Sequence, residues 1–175
     1  DFSNNDYCTS ISFAPITPPS ETSFRLGLFW HHSFDWEEKN WCLQCRNEGC
    51  TVDDELFYTP CSGRSTFFEL TEVEDTTSVQ IVISGTNLCI QANDATGSTG
   101  IAQVRTCIPS AHIQHWSPGA EGFKFSDAYF EITPAGDEGA CLGSDRAPEY
   151  LDILGVESCG LTRANHTSLW EKVWQ

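Results

Sequence analysis

Apolar residues along this chain gather in short clusters rather than in long periodic stretches. Phe24 to Trp30, Val79 to Ile83 and Tyr129 to Ile132 are the clearest runs. Turn-forming segments such as Ser84 to Asn87, Asp94 to Gly100 and Pro134 to Gly139 punctuate the chain between such runs. Runs this short, rich in β-branched and aromatic residues and bounded by Gly, Pro, Asn, Asp and Ser, read as strands. Helical signals are weak throughout. The pattern therefore predicts an all-β chain without helices.

The clusters belong to a larger repetition. Setting Cys42, Cys89 and Cys141 in one column also aligns Cys61, Cys107 and Cys159, at separations of 19, 18 and 18 residues. An aromatic follows each second cysteine: Phe68, Trp116 and Trp170. A unit with one apolar face cannot bury that face alone, and three copies closing about a common axis solve the problem while leaving few free strand edges. The expected units are approximately 22–75, 76–126 and 127–175. Phe68, Trp116 and Trp170 would then be matching plugs in a shared core, since burial of so much aromatic area favours packing over ligand stacking.

Within this frame the motifs resemble those of the ricin B-type β-trefoil family, with its Cys-apolar-Asp-apolar, Gln-x-Trp-x-Cys and Gln-x-Trp patterns. The resemblance covers about residues 22 to 175 and is best in the middle unit, at Leu88 to Ala92, Ala102 to Cys107 and Gln114 to Trp116. Thr66 and Ser168 stand for the last Gln in the other two units. It implies a β-trefoil used for recognition. In sugar-binding members an Asp after the first Cys accepts from sugar hydroxyls, an aromatic two residues before the second Cys stacks on the ring, and an Asn or Gln completes the pocket. Here Gln44, Gln91 and Gly143 occupy the Asp position, and Thr59, Arg105 and Glu157 the aromatic one. The middle unit departs least. Gln91, Gln103, Arg105 and Gln114 are its candidate glycan-binding residues, offering amide and guanidinium hydrogen bonds, with Gln91 expected to face Arg105 across a hairpin.

The repetition also selects a disulfide framework, because one set of pairings among six cysteines is the same in every unit: Cys42 with Cys61, Cys89 with Cys107, Cys141 with Cys159. Cys8, Cys45 and Cys50 remain. A bridge between Cys45 and Cys50 across Arg46 to Gly49, read as a hairpin tip, is one solution; it makes Cys8 a candidate intermolecular cysteine. The other ties Cys8 to Cys45 or Cys50.

Composition narrows the setting. Nine cysteines and no methionine, even at position 1, point to a mature product from an oxidising compartment, secreted after loss of a leader. Nine basic against 25 acidic residues, a formal charge of −16, argue against nucleic acid and anionic lipid as partners. No apolar run is long enough to span a bilayer, so no membrane insertion is expected. The acidic groups read as solvated surface, and no calcium loop, zinc spacing or other metal motif occurs. No nucleophile elbow, phosphate loop or metalloprotease helix is present, and the five histidines have no catalytic spacing, so the chain is read as a non-enzyme without a cofactor.

Two further features concern contacts. Residues 1–21 form a Pro-rich stretch expected to be an extended arm before the trefoil at 22–175. The loop with Trp30, His31, His32, Phe34 and Trp36 is a candidate contact surface. Asn165 opens a glycosylation sequon. The expected function is recognition of a glycan or glycoprotein through an altered pocket. The alternative is a building block of an extracellular assembly, with vestigial pockets, gripping protein partners through the arm, the Trp-rich loop and Cys8.

Overall fold

The computed structural model describes residues 22–28, 41–47, 49–61, 64–74, 76–93, 100–119, 124–164 and 167–174. Cys8 and the rest of the expected arm, the loop residues Trp30, His31, His32, Phe34 and Trp36, and Asn165 lie outside the described residues.

Twelve strands are present among the described residues. In chain order they are β1 (Arg25–Leu28), β2 (Trp41–Cys45), β3 (Leu56–Pro60), β4 (Phe68–Glu72), β5 (Val79–Ile83), β6 (Leu88–Ala92), β7 (Gly100–Thr106), β8 (Trp116–Pro118), β9 (Ile132–Pro134), β10 (Ala140–Gly143), β11 (Gly155–Ser158) and β12 (Trp170–Val173). All pairings between them are antiparallel.

Six of these strands close a ring. β4 pairs with β5, β5 meets β8 at Val79 and Trp116, and β8 pairs with β9. The bridge Phe130↔Trp170 carries the ring to β12, which pairs with β1, and Phe24↔Phe68 returns it to β4. Closure removes the edges that would otherwise invite pairing with another chain. Three hairpins stand beside the ring: β2 with β3, β6 with β7, and β10 with β11. They also touch one another, through Phe57↔Ile153, Glu55↔Gln103 and the β11–β7 pairing.

The ring is filled from its own strands. Phe24, Leu26, Phe68, Ile81, Trp116, Phe130, Ile132 and Trp170 are all buried in one apolar cluster, so the three aromatics that follow the second cysteines are core residues. Two of them also repay a polar debt. The Trp116 indole N–H donates to Ile90 O (3.0 Å) and that of Trp170 to Leu142 O (2.9 Å). The Phe68 ring has no N–H to give. At the corresponding carbonyl, Leu43 O, the backbone N–H of Thr66 donates instead (2.9 Å). Each carbonyl one residue after a first cysteine is thus satisfied, as a buried acceptor must be.

Among the described residues four disulfides staple the hairpins: Cys42–Cys61, Cys45–Cys50, Cys89–Cys107 and Cys141–Cys159. The three closing loops of 18 or 19 residues each contribute on the order of 3 kcal/mol in the chain-entropy account. One expectation fails. A six-residue helix, α1 (Cys159–Ala164), follows β11. Local propensity does not explain so short a helix; tertiary anchoring does. Its first residue is held by the disulfide to β10, Thr162 is buried with its hydroxyl donating to Cys159 O, and Arg163 is clamped by Glu131. No helix among the described residues is long and apolar enough to cross a membrane.

Candidate functional site

The β6–β7 hairpin sorts its residues by face. Ile90, Ala92, Ala102 and Val104 point into the core, so Cys89, Gln91, Gln103 and Arg105 share the opposite side. In the ladder Gln91 is opposite Gln103, and Cys89 is opposite Arg105. The expected confrontation of Gln91 with Arg105 is therefore corrected: they are diagonal neighbours, and Gln103 completes the group between them. Arg105 Nη2 donates to Gln103 Oε1 (3.1 Å).

Gln114 sits beneath this face, fully buried, on a single 3₁₀ turn (His112–Gln114). Its oxygen accepts from the backbone N–H of Ile108 (2.8 Å) and from Gln80 Nε2 (3.2 Å). Its NH2 donates to Thr106 O (2.9 Å) and to Gln91 Oε1 (3.1 Å). Contacts to backbone groups of fixed polarity leave no doubt which end of the amide is which. All four hydrogen-bonding positions of Gln114 are engaged within the chain. Its role is to position Gln91, whose oxygen it binds and whose NH2 lies on the other side of that amide. Gln103 is oriented likewise, its oxygen held by Arg105.

A carboxylate joins the group from another hairpin. Asp53, in the loop between β2 and β3, forms an ion pair with Arg105 through Oδ1 and Nη1. Arg46 and Glu55 of the same loop pair at 3.1 Å. Asp53 does not stand out in the sequence because it lies in the loop of another hairpin, inside the acidic run Asp53 to Glu55 that reads as solvated surface.

The matching places on the other hairpins are differently filled. On β2–β3, Thr59 is buried and its hydroxyl bonds the oxygen of Gln44 (3.5 Å). On β10–β11, Gly143 cannot be replaced by Asp as it stands, because a Cβ there would lie 2.4 Å from the backbone oxygen of Thr167. Across from Cys141 stands Glu157, whose pKa is raised by burial and secondarily by Asp145. Tyr58 lies nearby, wholly buried and stacked on Trp170 at 6.2 Å between ring centroids. Burial, then the charges of Asp152 and Glu157, push its hydroxyl pKa far up.

The region below the third hairpin is held by charge rather than amides. Glu131, 2% exposed, accepts from Arg163 through both oxygens (2.9 and 2.7 Å) and from the Ser168 hydroxyl (3.0 Å). Gly119 makes room for it, since a Cβ there would fall 2.5 Å from Glu131 Oε2. The sequence carries a trace of these buried polar groups: Gln80 and Glu131 are polar residues set inside otherwise apolar runs. Among the described residues no group of three or more His, Cys, Asp or Glu is placed to hold a metal ion.

No protein-family model matches the chain, and no curated protein matches its sequence. Solved structures do match its fold. A designed 3-fold symmetric protein, ThreeFoil, superposes with a TM-score of 0.64 over 89% of this chain and 100% of its own, at 13% identity. The cytolethal distending toxin from Actinobacillus actinomycetemcomitans gives 0.59 over 87% and 90%, at 14% identity. An exo-β-1,3-galactanase from Clostridium thermocellum gives 0.62 at 18% identity over 90% of this chain, which spans 31% of that enzyme. The ring, the hairpins and these likenesses define a β-trefoil fold. At such identities the likeness is one of fold alone.

Proposed function

We propose that residues 22–175 form a β-trefoil of three units, near 22–75, 76–126 and 127–175, that serves as a secreted, non-enzymatic module binding a glycan or glycoprotein. The site is the outer face of the β6–β7 hairpin. One observation carries this reading: Gln91, Gln103 and Arg105 lie half-exposed on one face, and Gln114 fixes the orientation of Gln91 from below. The two glutamine NH2 groups and the guanidinium are donors, and the Asp53 carboxylate is an acceptor. That mixture suits hydroxyls, which both give and take hydrogen bonds. The fold is one also found in part of an exo-β-1,3-galactanase, a protein named for action on a galactan. Four disulfides support an oxidising compartment.

A glycan array with the purified chain tests the reading. Binding that Gln103→Ala abolishes without lowering the melting temperature is the expected result. Silence on every glycan shifts the reading to a building block of an extracellular assembly. That alternative has its own support in an exposed apolar turn: Tyr150 and Leu151 are 65% and 51% exposed, and Leu151 holds a positive φ of 68°. In it Cys8, the arm and the Trp-rich loop would make the protein contacts, and Asn165 would carry a glycan.

A further inference from the structure

The loop from β2 to β3 is over-determined for a mere connection. The Cys45–Cys50 disulfide closes its first half. Asp54, 5% exposed, closes the second by accepting from Thr51 N (2.8 Å) and from the Asn47 side-chain amide. Gly49, Cys50 and Asp53 all take positive φ, at 89°, 50° and 72°. For non-glycine residues that conformation costs free energy, and it persists where surrounding contacts impose it.

Those contacts set the loop against the edge of β7. Asp53 N donates to Val104 O (2.9 Å), Val104 N donates to Asp54 O (2.8 Å), and Glu55 bridges to Gln103. The Asp53 side chain is thereby delivered beside Arg105. Of the guanidinium, Nη1 meets Asp53, Nη2 meets Gln103, and Nε is buried without a hydrogen-bond partner. The cation that a carboxylated or sulfated sugar would require is already neutralised. An acidic ligand would have to displace Asp53 and then face its repulsion, with Asp54 and Glu55 on the same loop and a chain charge of −16 behind them.

We infer that Asp53 is the specificity-determining residue of this face: it occupies Arg105 and makes the site select uncharged, hydroxyl-rich glycans over acidic ones. The inference rests on the glycan reading of the β6–β7 face. It assigns to the loop a function in ligand choice, with the Cys45–Cys50 staple and Asp54 as positioning groups. The Asp53 side chain is largely exposed, so its carboxylate can also accept from a neutral sugar's hydroxyls, which Asn in its place would do less strongly.

Asp53→Asn is the test, because Asn is nearly isosteric and tolerates a left-handed backbone, so the turn is retained. Asp53→Gly, free of the φ cost, serves as the second variant. Glucuronate is titrated into each protein, and the same proteins are run on an array of neutral and acidic glycans. Both variants should bind glucuronate about tenfold more tightly than wild type, a modest gain because the pair is partly in solvent. Adding Arg105→Gln should abolish it. Unchanged glucuronate binding in both folded variants overturns the inference, as does Arg105-dependent binding of acidic glycans by wild type, which would leave the glycan reading intact. A wild type that binds no glycan, neutral or acidic, overturns the glycan reading and with it the selectivity assigned to Asp53, whereas a wild type that binds neutral glycans while neither variant gains glucuronate overturns the inference alone.

Discussion

The β6–β7 and β10–β11 hairpins present the same disulfide and the same buried indole behind them, yet their outer faces have diverged. On the middle hairpin, Gln91 and Gln103 face each other beside Arg105, pinned from below by neutral amides, Gln80 and Gln114. On the other, Gly143 leaves no side chain where a ligand would be met, a neighbouring backbone oxygen fills the space, and the pin below is an ion pair between Glu131 and Arg163. The difference teaches that the hairpin frame is indifferent to what its outer face carries. Function on this fold is decided residue by residue.

The largest effect is expected where the pin is ionic. Arg163→Ala leaves the buried Glu131 carboxylate without its guanidinium partner, held among the described residues by the Ser168 hydroxyl, and should cost about 3 kcal/mol in chemical denaturation, the low end for a broken buried pair because Arg163 reaches solvent. Adding Glu131→Gln should recover part of that loss. A full loss in the double variant would show that packing, not charge, is what Arg163 supplies. Next comes the amide pin. Gln114→Ala orphans the Ile108 N–H and the Thr106 carbonyl and should cost about 2 kcal/mol. It should also loosen Gln91, weakening glycan binding, whereas Arg163→Ala should not.

A smaller effect concerns pH. Because the Glu157 pKa is raised in the fold, the folded state holds that proton more tightly than the unfolded chain. The contribution therefore favours folding at acid pH and is lost as pH rises from the ordinary value of 4.5 through the raised one. Glu157→Gln should accordingly raise the melting temperature at neutral pH and leave it unchanged well below 4.5. A gain of equal size at both pH values would place its origin in packing rather than in ionisation.

Much of the frame is legible in the sequence, because strands announce themselves by short apolar runs and the cysteine columns mark the hairpins. The site is legible only in outline. Gln91, Gln103 and Arg105 stand out as hydrogen-bonding residues in the best-matching unit, but nothing local tells that Gln114 is buried and fully used. Burial is a property of the ring, not of the segment. The Arg105–Asp53 pair is hidden for a related reason: it joins two hairpins that meet only once the chain is folded. The helix α1 escapes because its support comes from the Cys141–Cys159 bridge and Glu131, both distant in sequence.

The central claim is that the β6–β7 face is where a glycan binds, and side-chain NMR tests it most directly. With the best array ligand titrated into labelled protein, the NH2 signals of Gln91 and Gln103 and the Nε–H signal of Arg105 should move together, while those of Gln80 and Gln114 stay nearly fixed. Saturable binding that leaves Gln91, Gln103 and Arg105 unmoved would contradict the account.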